Sequence, residues 1–179
     1  MLNSEESLLM VIDVQGKLAH VVENDEYYLV QVKKLISGVV ALSLPVILTA
    51  QAPEKLGHTL PEVAELLPQT EEIPRTSFSA FREVRILSAL NQHGRRKILL
   101  CGYEAHVCVC QCALDMINAG YEVYFVVDAI SARTGINAEV AAKRVAAAGG
   151  NLVTVEMVLF EILRDAAHPT FKTISKIIK

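Results

Sequence analysis

Short apolar runs alternate along this chain with longer stretches in which apolar side chains recur at helical spacing. The runs predict strands at residues 8–14, 46–50, 71–73, 97–101, 122–127 and 152–155, of which 71–73 is the weakest. The longer stretches predict helices at 25–43, 80–91, 107–119 and 138–148, then a helical tail interrupted at His168-Pro169. Strands that alternate with helices are typical of βαβ units, in which the strands are parallel.

The pattern therefore predicts an α/β protein with one domain over residues 1–179 and a three-layer, doubly wound fold of the Rossmann type. The mostly parallel sheet would hold about six strands, and helices would cover both faces because the strand runs are continuously apolar. In such folds ligands bind at the carboxyl ends of the strands. Four stretches are thus expected near a site: residues 13–15, 49–51, 102–108 and 128–133.

Composition narrows the class of protein. Apolar residues make up 52% of the chain, which argues against disorder. The net charge of −3 gives no electrostatic case for a nucleic acid or an anionic membrane as partner. Glu5 and Glu6 stand where a secretory signal needs basic residues, and no apolar run approaches the length of a membrane span. We expect a cytoplasmic protein whose cysteines are reduced thiols.

Asp13 and Cys108 are the strongest candidates for chemistry. Asp13 follows a strand that should be central and buried, so its carboxylate is either a cap on the next turn or a general base with a raised pKa. Cys108 lies at the predicted start of a helix, where the backbone N–H groups stabilise a thiolate and can hold an oxyanion. The alternative is a structural buried cysteine, which is what we expect of Cys101, Cys110 and Cys112.

A metal site is a third candidate, formed by His106 with the cysteines that follow it. The spacing of His106, Cys108, Cys110 and Cys112 does not match the paired patterns of zinc sites. We therefore predict no metal and no other cofactor.

Four segments carry a resemblance to a known family: V-I-D-V-Q at 11–15, T-A-Q-A-P-E-K-L-G-H-T-L-P-E-V at 49–63, I-P-R-T-S-F-S-A-F at 73–81 and the stretch 101–129, which begins C-G-Y-E-A-H-V-C-V. The tail at 165–179 extends the match. Together they resemble the isochorismatase-like, or cysteine hydrolase, superfamily. The chain is most similar to the subgroup of isochorismatase domain-containing proteins and uncharacterised bacterial hydrolases. The resemblance covers nearly the whole chain, and G-Y-E-A-H-V-C-V at 102–109 is its most specific part.

The resemblance implies an Asp–Lys–Cys triad with Asp13 as the aspartate and Cys108 as the nucleophile. The lysine position is Arg75 in this chain, which keeps the positive charge but does not exchange protons as lysine can. The resemblance also implies a cis peptide bond between Tyr103 and Glu104, and an oxyanion hole formed by the N–H groups of Glu104 and Cys108.

Further residues follow from the same comparison. His106 matches a position near the pocket in relatives, and Gln51 faces the presumed pocket. Both are expected to contact substrate, although His106 is as well explained as a cap of its turn. Nicotinamidases of this superfamily bind a metal through an Asp-x-His pair after the second strand, where this chain reads Thr49-Ala50-Gln51-Ala52-Pro53. This departure argues against a metal and against nicotinamide as the substrate.

The expected function is therefore cysteine-dependent hydrolysis of a small amide or related C–N bond. One alternative is hydrolysis of an isochorismate-type vinyl ether without a covalent intermediate. The other is a catalytically degenerate binding or assembly protein, to which the arginine at position 75 points. The expected partners are a small-molecule substrate and further copies of the chain in a homo-oligomer, with no nucleic acid and no membrane.

Overall fold

A computed structural model describes all residues, 1–179, and contains one six-stranded sheet. The strands are β1 (Ser7–Ile12), β2 (Val46–Gln51), β3 (Glu72–Arg75), β4 (Lys97–Tyr103), β5 (Glu122–Ser131) and β6 (Asn151–Val153). Their order across the sheet is β3-β2-β1-β4-β5-β6, and every neighbouring pair is parallel. The predicted doubly wound α/β fold is confirmed.

Helices cover both faces of the sheet. They are α1 (Asp25–Ala41), α2 (Pro53–Leu56), α3 (Pro61–Ala64), α4 (Val84–His93), α5 (Cys110–Asn118), α6 (Gly135–Ala147), α7 (Val155–Leu163) and α8 (Phe171–Ile177). One apolar core lies between the sheet and α1, α7 and α8, and the other lies between the sheet and α4, α5 and α6. None of the helices combines the length and apolarity needed to cross a membrane.

The strands around the centre of the sheet end at other residues than predicted. β1 stops at Ile12, because Asp13 adopts a left-handed backbone with φ of 54° and turns the chain out of the sheet. β5 continues to Ser131, because its register with β4 shifts and the end of β4 pairs with residues beyond Asp128. Asp128 consequently lies within a strand, and its carboxylate accepts the Val155 N–H at the start of α7. Its predicted place at the end of a strand was wrong.

The segment after β4 also differs from the prediction. The helix expected at 107–119 begins earlier, as a π-helical turn over Ala105–Val109 that continues into α5. Cys108 therefore lies inside this turn rather than at the first residues of an α-helix. The helix expected at 80–91 is divided into a 3-10 turn, Ala80–Arg82, and α4.

Gly102 allows β1 and β4 to approach each other beside Asp13. Its φ is +116°, and a Cβ there would lie 1.9 Å from the carbonyl oxygen of Ile12. We predict that Gly102→Ala lowers the free energy of unfolding by on the order of 4 kcal/mol, since two backbone segments would have to separate. Urea denaturation measures this loss.

Gly94 supplies the matched control for this substitution. Its φ is also positive, at +66°, but no atom lies within 4 Å of the place that a Cβ would occupy. Gly94→Ala should cost only about 1 kcal/mol, the penalty of the left-handed backbone alone. Equal losses in the two variants would contradict the close approach at Gly102.

Candidate active site

The carboxyl ends of four neighbouring strands bring the predicted site residues together. Asp13 directly follows β1, Gln51 ends β2, Arg75 ends β3, and Cys108 lies in the turn that follows β4. β1 lies between β2 and β4, and the covering helices change from one face of the sheet to the other at this point. Such a switch point is where doubly wound folds place their ligands.

A buried ion pair between Asp13 and Arg75 lies at the centre of this edge. The Arg75 Nη2 donates to the Asp13 Oδ2 over 2.6 Å, and both side chains are fully buried. The Arg75 Nη1 donates to the backbone oxygen of Ser77. The carboxylate thus accepts from a guanidinium instead of capping the turn that follows, so the cap proposed from sequence is wrong.

The thiol of Cys108 is buried against this pair. Its Sγ donates to the Oε1 of Gln51 over 3.7 Å. Burial and the neighbouring Asp13 carboxylate raise the pKa of the Cys108 thiol to about 12, and the opposing effect of Arg75 is smaller. The expectation that the start of a helix would stabilise the thiolate is therefore wrong, because desolvation outweighs it.

The same surroundings also shift the pKa of the Asp13 carboxyl. Burial raises this pKa above the ordinary value, while the charge of Arg75 opposes that rise. This direction agrees with the raised pKa expected for Asp13. These shifts favour a protonated thiol beside a carboxyl group of increased basicity, an arrangement in which a proton can pass from sulfur to oxygen.

The turn between β4 and α5 places the remaining candidates. The Tyr103–Glu104 peptide bond is cis, as expected. The carboxylate of Glu104 accepts from the Arg133 Nε over 2.6 Å, which ties this turn to the end of β5. His106 is half-buried, and its Nδ1 has no hydrogen-bond partner. That nitrogen atom is itself buried, so the structure shows no access to it for a ligand.

Two residues in the site were not assigned a role from the sequence. Gln15 is fully buried and holds Gln51 through its side-chain amide, although a lone glutamine after a strand is usually solvated. Arg133 pairs with Glu104 across a distance of 29 residues in the chain, and no sequence pattern indicates that contact.

The other cysteines are buried structural thiols, as expected. Burial raises the pKa of Cys101, Cys110 and Cys112, which lie in β4 and α5. No group of three or more His, Cys, Asp or Glu side chains is close enough to hold a metal ion.

The fold and this edge define a class of protein: a doubly wound, parallel α/β protein with a buried Asp–Arg–Cys cluster at its switch point. The chain belongs to the isochorismatase family, whose domain model, "Isochorismatase domain", matches residues 7–157. The resemblance inferred from the motifs is thereby confirmed, and membership in this family supports a hydrolase.

Relatives of known sequence or structure align over nearly the whole chain. Isochorismatase domain-containing protein 2 of Bos taurus is 36% identical over 178 residues, which are 97% of this chain and 83% of that protein. The MAR1 ribonuclease structure of Caenorhabditis elegans is 34% identical with a TM-score of 0.93, covering 99% of this chain and 91% of that one.

YcaC is a further similar protein, solved from two bacteria. The Pseudomonas aeruginosa structure, with hexane-2,5-diol and covalent acrylamide, is 25% identical with a TM-score of 0.94 and covers 98% of this chain and 90% of that one. The Escherichia coli structure, described as an octameric hydrolase of unknown specificity, has the same identity and TM-score. The alignment covers 99% of this chain and 88% of that one.

The ion pair makes a prediction about stability. Arg75→Met leaves the Asp13 charge buried without a partner, which should lower the free energy of unfolding by about 3–5 kcal/mol near neutral pH. Without Arg75 the pKa of Asp13 rises further, since the guanidinium is what opposes the effect of burial. A carboxyl with a raised folded-state pKa loses stabilisation as the pH rises through that pKa. Urea denaturation at several pH values measures the effect.

The loss caused by Arg75→Met should be larger at about pH 8 than at about pH 5, because Asp13 can take up a proton at the lower pH. Arg75→Lys keeps a charge and serves as the control, with a smaller loss and a weaker dependence on pH. A loss that is equal at both pH values would show that Arg75 acts through packing and not through the Asp13 charge.

Proposed function

We propose that this protein is a cysteine-dependent hydrolase that cleaves a small amide or a related C–N bond. The observation that carries the proposal is the position of the Cys108 thiol, which is buried against the Asp13–Arg75 ion pair at the switch point of the sheet. A thiol becomes a strong nucleophile when an adjacent base takes its proton. Asp13, with its raised pKa, is that base.

The first half of the reaction forms a covalent intermediate. The Asp13 carboxylate takes the proton of the Cys108 thiol, and the sulfur forms a bond to the carbonyl carbon while the carbonyl electrons move to oxygen. When this tetrahedral species collapses, the C–N bond breaks and Asp13 returns the proton to the leaving nitrogen. A thioester on Cys108 and a free amine or ammonia result.

The second half regenerates the thiol. A water molecule gives a proton to Asp13 as the water oxygen attacks the thioester carbon, and the C–S bond then breaks. The proton passes from Asp13 to the sulfur, and a carboxylic acid leaves the site. Arg75 keeps its charge throughout and stabilises the negative charge that moves between Asp13 and Cys108.

The other expected residues have places in this scheme. The backbone N–H groups of Glu104 and Cys108 would donate to the oxyanion. Gln51, whose amide already contacts the sulfur, and His106 would bind the polar groups of the substrate. Cys108 is only 3% exposed, which favours a small substrate over a polymer.

The relatives support a reactive thiol at this site. Acrylamide is an electrophilic amide, and the soft nucleophile with which it forms covalent adducts is a thiolate. Its covalent presence in the similar YcaC structure therefore favours a nucleophilic cysteine in this fold. The net charge of −3 and the buried sulfur give no support to a ribonuclease function such as that of the MAR1 neighbour.

The vinyl-ether alternative has one observation in its favour. The Cys108 thiol holds its proton at rest, so Asp13 could act on a substrate without a covalent step. Mass spectrometry of the enzyme during turnover separates the two mechanisms. A mass increase on Cys108 equal to the acyl group supports the proposal, and turnover without any adduct on the protein supports the alternative.

The main prediction concerns Cys108 itself. In a screen of small amides and nitriles, Cys108→Ala should lower the turnover of any substrate found by about a thousandfold or more, because the nucleophile is lost.

Acrylamide at neutral pH should modify Cys108 before the other cysteines, since an adjacent base can take its proton. Peptide mapping locates the adduct.

Cys110→Ala is the matched control, because Cys110 is also buried and lies two residues away in the next turn. It should retain the turnover of the unsubstituted protein and the same labelling of Cys108. Equal turnover in the two alanine variants, or faster labelling of another cysteine, would contradict the proposed nucleophile.

We also propose that the protein is a homo-oligomer. Large apolar side chains are exposed on the helices, such as Val84, Ile136 and Met157, and the similar Escherichia coli YcaC is described as octameric. Sedimentation velocity at micromolar concentration should show a species several times heavier than the 19.6 kDa chain. A single monomeric species would refute the assembly.

A further inference from the structure

The side chain of Gln15 replaces a missing segment of β1. The ladder between β1 and β2 ends where the Asp13 N–H donates to the Thr49 oxygen over 3.0 Å, because the backbone then leaves the sheet. Gln51, two residues further along β2, has no partner from the β1 backbone. The Gln15 amide pairs with it instead: Nε2 donates to the Gln51 oxygen over 2.9 Å, and the Gln51 N–H donates to Oε1 over 2.7 Å.

A third hydrogen bond extends this arrangement to the loop after β2. The Gln15 Nε2 also donates to the Gly57 oxygen over 2.7 Å. In the same place Gly16 packs directly on the Leu56 carbonyl, where a Cβ would lie 1.9 Å from the oxygen. Gln15 is fully buried, and loss of its amide would leave three partly buried backbone groups of Gln51 and Gly57 without these partners.

Gln51 links this amide to the thiol. Its backbone N–H and oxygen are both held by Gln15, and its side-chain Nε2 donates to the Thr76 oxygen over 3.4 Å. Between these fixed ends, Oε1 accepts from the Cys108 Sγ. The position of that oxygen over the sulfur therefore depends on where Gln15 holds the Gln51 backbone.

We infer that Gln15 is a positioning residue for the Cys108 thiol and acts through Gln51. The inference rests on the proposed function, in which Cys108 is the nucleophile. Gln15 touches neither the sulfur nor the ion pair in any hydrogen bond, and its effect is transmitted by the end of β2. Because Gln51 accepts a bond from the neutral thiol, its correct placement stabilises the protonated form of Cys108.

This role has a measurable consequence for thiol reactivity. Displacing the Gln51 oxygen removes a hydrogen bond from the protonated thiol, so the midpoint of the pH profile for alkylation should fall. A weak thiol hydrogen bond corresponds to a shift of about half a pH unit. A residue that only supports the fold would lower stability without moving this midpoint.

The experiment measures the rate of acrylamide modification of Cys108 against pH in the full-length protein, by peptide mass spectrometry. Gln15→Met keeps the length of the side chain and removes its hydrogen bonds, and Gln51→Met removes the acceptor itself. Each should shift the midpoint downward by about half a unit, and the double variant should shift it no further than Gln51→Met alone.

Ser7→Ala is the control, because Ser7 is a buried polar residue at the amino end of β1, whereas the site lies at the carboxyl end. It should leave the midpoint unchanged. A Gln15→Met profile that coincides with that of the unsubstituted protein would overturn the inference, as would shifts that add in the double variant. Failure of Cys108 to react in the unsubstituted protein would instead contradict the proposed function.

Two further measurements cover the case in which Gln15→Met does not fold. Gln15→Asn keeps a polar amide but withdraws it by one methylene, and it should move the midpoint in the same direction. In the unsubstituted protein, hydrogen exchange should show the Gln51 amide protected like the amides within β2. Exchange as fast as that of an exposed loop would contradict the pairing with Gln15.

Discussion

The chemistry of this edge depends on the buried ion pair between Asp13 and Arg75. Two opposite charges 2.6 Å apart, with both side chains fully buried, are tolerated only because each compensates for the lost hydration of the other. Asp13 leaves β1 with a left-handed backbone, and its carboxylate meets Arg75 at the end of β3. Gln15 then takes up the strand position that β1 has vacated.

The protonation of the site follows from the same pair. Arg75 limits how far burial raises the pKa of Asp13, and it opposes the effect of Asp13 on Cys108. For both Asp13 and Cys108, burial nevertheless shifts the pKa more than the charge of Arg75 does. In the proposed mechanism the sulfur therefore keeps its proton until Asp13 accepts it, and the nucleophile forms at that step. This differs from a thiolate stabilised in advance by a helix terminus, in which no general base is needed.

Much of the fold could be predicted from the sequence, because long apolar runs and the helical periodicity between them are strong local signals. The weak strand at 71–73 became β3, whose last residue, Arg75, was found by its motif and not by its pattern. The features that the sequence could not indicate depend on contacts between residues that are far apart in the chain. The extension of β5 to Ser131 follows from its register with β4, and the raised pKa of Cys108 follows from how deeply the fold buries it.

Gln15 shows why such residues are missed when only the sequence is considered. A glutamine after a strand carries no more signal than any solvated polar residue, and its importance depends on the left-handed turn at Asp13 that leaves Gln51 unpaired. Asp13, the residue at this turn, also carries the carboxylate that pairs with Arg75. The turn leaves a vacant position in the sheet, and the residue that fills it also holds the backbone of the glutamine whose amide contacts the thiol. The residues that hold the charge and those that place the sulfur are therefore parts of one arrangement.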